Sequence, residues 1–280
     1  MLISFCSLSG SPGVSTAALA LGWTWPRHAL IAECDPAGSR DLAVFDPAGA
    51  LGSRNVFDAM LGARSMPMQR AVWSQAITLP DGTGRHFLLA GAQSRRQAES
   101  LDWQRLTAVF GELDPVDVLA DCGRLRARGA PNAVLAASDL VVVVVRNDRH
   151  SLHTLISSLD VVYEEAGLVG HRDDGLAVLL VHPHPGLARP FAGREVAKQL
   201  EVVVVGELPW HPATATQFSD AHMPGRKFEN SPMLTRAEQL TKQIGRRALV
   251  RSMRLRQELP NPRRSEDRPV GQLLGERHDR

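Results

Sequence analysis

The sequence predicts an α/β fold, a single domain with a doubly wound, mostly parallel sheet. Short apolar runs alternate along the chain with segments of helical periodicity, which is the pattern of parallel strands joined by helices. Residues 140–145 are a leucine followed by five valines, typical of a strand that is covered on both faces. The first apolar run, residues 2–6, leads directly into a glycine-rich turn and a helix rich in alanine and leucine.

Each element is predicted from a local pattern. Strands are predicted at the short apolar runs, residues 2–6, 29–32, 85–90, 116–120, 140–145, 176–181 and 202–205. Helices are predicted at the segments of helical character, residues 15–23, 53–61, 68–77, 100–113, 130–137, 151–165, 193–200 and 234–255. The longest segments without a pattern are residues 37–51 and 212–232, and we expect them to lie over the site as irregular loops.

Composition limits the possible classes of protein. The chain has 280 residues, of which 44% are hydrophobic, enough for one large core. A net charge of +2 excludes attachment to nucleic acid or membrane through overall charge alone. Arginine crowds residues 246–280, however, and residues 258–280 have the composition of a basic, disordered tail. We therefore predict a domain over residues 1–257 followed by that tail.

Targeting signals and cysteine usage give an expectation for the cellular location. No signal peptide precedes the first strand, and the longest apolar run is too short to span a bilayer. Three cysteines, Cys6, Cys34 and Cys122, are far apart and form no C-x-x-C pair, which suits a reducing compartment. We expect a cytoplasmic protein, with a peripheral position at the membrane or nucleoid left open.

The turn after the first strand, SLSGSPGVST at residues 7–16, is a candidate phosphate-binding loop. A glycine-rich turn between a strand and a helix presents backbone amides and a helix N-terminus to an anion. The residues that would supply this cradle are Gly10, Ser11, Gly13, Val14, Ser15 and Thr16. The alternative is a turn that retains the fold and no longer binds phosphate.

Acidic residues follow two of the predicted strands at the edge where this loop lies. Glu33 and Asp35 are two residues apart and share a face, and Asp121 ends a later strand. Carboxylates at these positions can hold Mg²⁺ and an attacking water beside a triphosphate. Strand alternation directs Cys34 and Cys122 to the opposite face, which favours a buried role over a metal site. The alternative is that these acidic residues cap helix N-termini or are simply solvated at the ends of the strands.

Three histidines lie in proline-flanked loops, and their role is open. They are His182, His184 and His211. Each could bind a metal or contact a base, or simply be exposed to solvent.

Taken together, these motifs resemble the ParA/MinD family of deviant-Walker P-loop ATPases over about residues 1–254. The family's loop, Lys-Gly-Gly-x-Gly-Lys-Thr-Thr, matches residues 9–16, and its D-x-D-P-Q-G segment matches residues 33–38. Its D-x-x-P strand end matches residues 121–124 and its G-x-I-P strand matches residues 205–209. The aspartate and valine run at residues 139–145 also fit the family pattern.

The resemblance implies an ATP-dependent sandwich dimer that positions DNA, division machinery or other cargo, with ATP and Mg²⁺ as cofactors. By the same resemblance, Ser15 would be the hydroxyl on Mg²⁺ and Asp35 would orient the attacking water. Asp121 would be a carboxylate that lies near Mg²⁺ and supports its ligands without binding the metal directly. Glu33 takes the place of the first aspartate of D-x-D and is the other candidate catalytic carboxylate.

The departures from the family pattern concern charge. Val14 stands where the family has the lysine that neutralises the phosphates, and Ser9 stands where it has the lysine that reaches across the dimer. Losing a pre-positioned charge commonly costs a few kcal/mol in the transition state, about a hundredfold or more in rate. Arg124 and Arg40 lie on loops at the same edge and are candidate replacements. The family's base-reading asparagine is His182 here.

Three functional hypotheses follow. The first is a positioning or scaffold protein whose degenerate nucleotide site binds ATP weakly, with little or no hydrolysis. The second is an active ATPase for chromosome partitioning or division-site placement, in which an arginine replaces the lysine. The third is a binder of DNA or an anionic membrane through the arginine-rich helix at residues 246–256 and the tail. For that helix, the alternative is core packing with a solvated basic face. A homodimer or a protein cargo partner is expected in the first two cases.

Overall fold

The computed structural model describes residues 1–9, 12–35, 37, 52–125, 132–168, 174–186, 190–219 and 226–258. The strands are β1 (Leu2–Ser7), β2 (Ala29–Glu33), β3 (Ile77–Thr78), β4 (His86–Leu89), β5 (Asp117–Arg124), β6 (Leu140–Arg146), β7 (Leu176–Val181) and β8 (Val204–Leu208). The helices are α1 (Val14–Trp23), α2 (Val56–Gly62), α3 (Met68–Gln75), α4 (Arg95–Glu99), α5 (Trp103–Gly111), α6 (Asn132–Ala136), α7 (Arg149–Glu165), α8 (Gly193–Leu200), α9 (Pro212–Ser219), α10 (Arg226–Glu229) and α11 (Pro232–Glu258).

The strands form one sheet in the order β3-β4-β2-β5-β1-β6-β7-β8. Every pair is parallel except β3 with β4 at one edge, which confirms the doubly wound, mostly parallel sheet. Strand β1 lies between β5 and β6, so the chain order of the strands diverges on the two sides of β1. Ligands of such sheets bind at the carboxyl edge beside that switch point, which places the turn after β1 at the centre of the candidate site.

Strand alternation divides the core into two layers. In β1, Leu2 and Cys6 face one layer, and Ile3 and Phe5 face the other. The first layer is covered by α2 to α8, and the second by α1, α9, α10 and α11. Helix α1 approaches the sheet closely at Gly22, where an added Cβ would overlap the side chain of Ile31. Glycine at this position therefore allows the short distance between α1 and the sheet.

The prediction of an irregular segment over residues 212–232 is wrong in part, because α9 and α10 form there. Phe218 of α9 and Phe228 of α10 are each 2% exposed and pack edge-on to each other and to Trp23 at the end of α1. These aromatic contacts stabilise two short helices that have no strong local pattern. The other predicted irregular segment, residues 37–51, lies outside the described residues apart from residue 37.

Several helix boundaries also differ from the predictions, and the short helix α4 was not predicted. The segment predicted as a helix over 68–77 leaves its helix at Gln75 and continues as β3, which pairs antiparallel with β4. The helix predicted over 100–113 begins at Trp103, because Asp102 caps it by accepting a hydrogen bond from the amide of Arg105. Helix α11 continues to Glu258, and residues 259–280 lie outside the described part of the chain. Within the described residues, no helix has the length and apolar character needed to cross a membrane.

Candidate functional site

The turn between β1 and α1 leaves a helix N-terminus open at the carboxyl edge. Gly13 is the N-cap of α1 and has φ +95°, a left-handed conformation that suits glycine. Gly13 offers no side chain that could cap this end, and the first turn contains no acidic residue. The first-turn amides and the helix dipole therefore face the edge without an acceptor from the capping residue or the first turn itself. Gly10 and Ser11 lie outside the described residues.

The residues of the first turn of α1 divide between the core and the site. The side chain of Val14 is 6% exposed and belongs to the core layer that contains α1. Ser15 and Thr16 are half-buried, and Thr16 lines a pocket at this edge. Val14, which the resemblance aligns with the family's lysine, is thus a core residue, and the hydroxyls of Ser15 and Thr16 lie in the same turn.

Asp35 and Asp121 come together around Gly123. Asp121 accepts a hydrogen bond from the amide of Gly123 at 3.0 Å, and Asp35 accepts one from the amide of Ala37 at 2.7 Å. Gly123 has φ +59°, and a Cβ built there would overlap the carboxylate of Asp35. The carboxylate of Asp35 therefore lies directly against the backbone at the end of β5, next to the turn that holds Asp121.

Glu33 lies in register with Asp121, but its carboxylate contacts a different strand end. Its Oε2 accepts a hydrogen bond from the amide of Gly91 at 2.8 Å, and the side chain is buried. Gly91 follows β4, on the side of β2 away from β5. In this arrangement Glu33 anchors the loop after β4.

The arginines at the edge occupy different environments. Arg124, the last residue of β5, is exposed and lies in register with Ser7. Arg146, the last residue of β6, is half-buried and lines a pocket together with Pro12, Gly13 and Thr16. Sequence reasoning missed Arg146, although an arginine directly after five valines at the same sheet edge was the available signal. Arg40 lies outside the described residues.

The pocket beside the N-terminus of α1 has a volume of about 90 Å³ and continues to the ends of β7 and β8. Its far wall contains His182, Leu208, Pro209, Trp210 and His211. The imidazole of His182 is 2.7 Å from the carboxylate of Glu207, and His211 is 2.7 Å from the hydroxyl of Thr214. Trp210 is 42% exposed at the mouth. The pocket thus extends from the N-terminus of α1 to the exposed ring of Trp210.

The three cysteine side chains are fully buried, as strand alternation predicts for Cys34 and Cys122. Cys6, Cys34 and Cys122 lie at the ends of neighbouring strands, in the core layer opposite α1. Burial raises the pKa of Cys6 to about 12, and burial also holds the pKa values of Cys34 and Cys122 well above the ordinary thiol value. All three thus remain protonated at neutral pH, in the form that is neither nucleophile nor metal ligand.

The donor set at the edge has the chemistry of a magnesium–phosphate site. Among the described residues, no three side chains of histidine, cysteine, aspartate or glutamate are grouped so that they could hold a metal by themselves. Magnesium in phosphate sites commonly takes one or two protein groups and completes its shell with phosphate oxygens and water. Ser15 could supply one such group and Asp121 could support it from nearby, while Asp35 would be left to orient a water.

The fold is the one adopted by MinD and ParA-family ATPases. MinD from Pyrococcus horikoshii, solved in complex with Mg-ADP, superimposes with a TM-score of 0.67 at 16% identity, over 89% of this chain and 98% of that one. A chain of the MinC:MinD cell division protein complex of Aquifex aeolicus superimposes with a TM-score of 0.64 at 15% identity, over 89% of this chain and 96% of that one. A ParA-family ATPase from Chlorobium tepidum superimposes with a TM-score of 0.64 at 12% identity, over 85% of this chain and 97% of that one. No protein-family model and no curated protein sequence matches the chain.

Proposed function

We propose that this protein is a ParA/MinD-like positioning or scaffold protein in the cytoplasm, with a degenerate nucleotide site. It binds ATP and Mg²⁺ weakly and hydrolyses ATP slowly or not at all. The observation that carries the proposal is the first turn of α1, whose N-terminus is open to an anion while its lysine position, Val14, is a buried core residue. The Mg-ADP complex of the P. horikoshii MinD supports nucleotide as the ligand.

The proposed binding mode uses groups at the carboxyl edge of the sheet. The loop of residues 10–13 and the first-turn amides of α1 hold the phosphates, and the helix dipole favours their negative charge. Ser15 binds Mg²⁺, which Asp121 supports, and Asp35 orients a water beside the terminal phosphate. Bound Mg²⁺ neutralises phosphate charge. Glu33, which is tied to Gly91, acts on this site by fixing the end of β2.

Slow hydrolysis follows from the missing charge. A lysine at position 14 would stabilise the charge that develops on the phosphoryl oxygens, and a valine in the core layer has no group that does so. Binding relies on interactions that are already present in the ground state, so it tolerates the loss better than catalysis does. Nucleotide occupancy would then control a homodimer or the docking of a protein cargo partner.

Calorimetric titration with MgATP tests the proposal. Wild type is expected to bind, and Ser15→Ala is expected to lower the affinity about tenfold in Mg²⁺ but not in EDTA, because the hydroxyl contacts the metal. Ser157→Ala, which changes an exposed serine on α7, is the matched control and should leave binding unchanged. Absence of binding contradicts the proposal. ATP turnover that Asp35→Ala abolishes would instead establish the active-ATPase alternative.

A second candidate function is binding to an anionic membrane surface through α11. The buried side of this helix contains Met233, Leu234, Ala237, Leu240, Ile244 and Ala248, and core packing leaves three apolar residues of its C-terminal half exposed. Those residues are Leu249, Val250 and Met253, which are 37%, 61% and 54% exposed. Exposed arginines flank them at positions 246, 254 and 256. Apolar side chains beside arginines suit an anionic lipid surface better than DNA phosphates, which offer them no apolar partner.

Sedimentation with vesicles of phosphatidylglycerol and phosphatidylcholine tests this candidate. Wild type is expected to bind, and the double variant Val250→Glu/Met253→Glu is expected to lose about tenfold or more in lipid affinity. Val161→Glu, which places the same charge at an exposed apolar residue of α7, is the matched control. Equal loss in both variants, or no binding by wild type, excludes the candidate. Retained binding to duplex DNA by the double variant would favour phosphate contacts through the arginines alone.

A further inference from the structure

We propose that Arg146 binds the phosphates of the nucleotide and supplies positive charge for binding, without taking the catalytic position that a lysine on α1 would have. This inference rests on the proposed nucleotide site and names the residue that holds the charged part of its ligand. The residue belongs to β6, whereas the family lysine would belong to α1. The charge therefore comes from the strand next to the loop.

The sheet directs Arg146 towards the correct side of the loop. Strand β6 pairs with β1, so its end lies beside the start of the turn that leads to α1. Val142 and Val144 face the core layer that contains α1, and side chains alternate along a strand. Arg146, two residues after Val144, therefore continues the same row, on the face where Val14 is buried.

The pocket connects Arg146 to the anion-binding end of α1. Arg146 shares the lining with Gly13 and Thr16, so its side chain borders the same space as the helix N-terminus. Among the described lining residues it is the one with a permanent charge, since His182 and His211 are the other ionisable groups. A half-buried guanidinium is screened less by solvent than an exposed one, and its planar fork matches two phosphate oxygens.

Arg124, which the sequence suggested for this role, lies in a different position. It is exposed at the end of β5 and does not contribute to the described lining of the pocket. Before it, Gly123 turns the chain into a left-handed conformation, and the register with β1 shifts at this point. Arg124 is consequently a suitable control, with the same charge on the opposite side of β1.

Titrations with adenosine, ADP and ATP in Mg²⁺ test the inference. Arg146→Ala is expected to weaken ADP and ATP binding by about 10- to 100-fold and to change adenosine affinity by less than about twofold, because the guanidinium contacts phosphate. Arg146→Gln, which keeps most of the side-chain volume, should show the same loss, and Arg146→Lys should recover part of the affinity. Arg124→Ala is expected to bind all three ligands like wild type.

The outcomes separate this inference from the proposed function. If wild type binds none of the three ligands, both are overturned. If wild type binds ADP and the Arg146 variants match it, or if Arg124→Ala causes the loss, the nucleotide site stands and the role of Arg146 is overturned. An equal loss of adenosine and ADP affinity in Arg146→Gln also overturns it, since that result assigns Arg146 to the shape of the pocket. Urea unfolding of each variant identifies losses caused by instability.

Discussion

Replacing Gly123 with alanine is expected to lower the free energy of unfolding by about 2–5 kcal/mol and to weaken MgATP binding. A non-glycine residue in the left-handed region costs about 1–2 kcal/mol, and forcing atoms into a filled space adds about 1–3 kcal/mol. Gly123 has φ +59°, and the new methyl group would overlap the carboxylate of Asp35. Displacing that carboxylate removes the group proposed to orient water. Urea unfolding and calorimetry measure the two effects.

Gly82→Ala is the matched control for the backbone part of this effect. Gly82 has φ +73°, and a Cβ there has no heavy atom within 4 Å, so only the backbone cost of about 1–2 kcal/mol is expected. The double variant Gly123→Ala/Asp35→Ala isolates the overlap with the carboxylate, because it removes the side chain that the methyl group meets. If the double variant loses as much stability as the sum of the two single variants, the overlap contributes nothing and the placement of Asp35 is wrong.

Replacing Arg251 with alanine is expected to cost about 3 kcal/mol of stability, the second large effect. Its guanidinium is buried and donates hydrogen bonds to the carbonyls of Ser138 at 2.6 Å and Asp139 at 3.0 Å, just before β6 begins. It also lies near the carboxylate of Asp174. Removal leaves two acceptors and a carboxylate without this partner and leaves space between α11 and the sheet. Urea unfolding monitored by circular dichroism measures the change.

Arg254→Ala provides the comparison for Arg251. Arg254 contacts the same Asp174 at 2.5 Å, but its side chain is 43% exposed. An exposed ion pair contributes about 0–1 kcal/mol, so this variant should unfold within about 1 kcal/mol of wild type. If the two variants are equally destabilised, the pair with Asp174 accounts for the stability, and the buried carbonyl contacts do not.

Much of the fold was predictable because its signals are local. The valine run of β6 and the apolar run of β1 give their strands directly, since each run is short, β-branched or apolar, and ends at polar residues. The end of β1 and the start of α1 were predictable from the glycine-rich sequence between them and the alanine-rich sequence that follows. Helices α9 and α10 were not, because their stability comes from Phe218 and Phe228 packing on Trp23, which is distant in sequence.

The sequence by itself determined the chain order of every described strand except β3 and of most of the described helices, the turn that follows β1, and the acids at the ends of β2 and β5. These follow from periodicity and from the rule that parallel strands share one carboxyl edge. Only the tertiary structure decided where the side chains at that edge point. It buries Val14, directs Glu33 to Gly91, and places Arg146, in preference to Arg124, beside the helix N-terminus. These directions depend on strand neighbours and backbone turns, which join residues far apart in the chain.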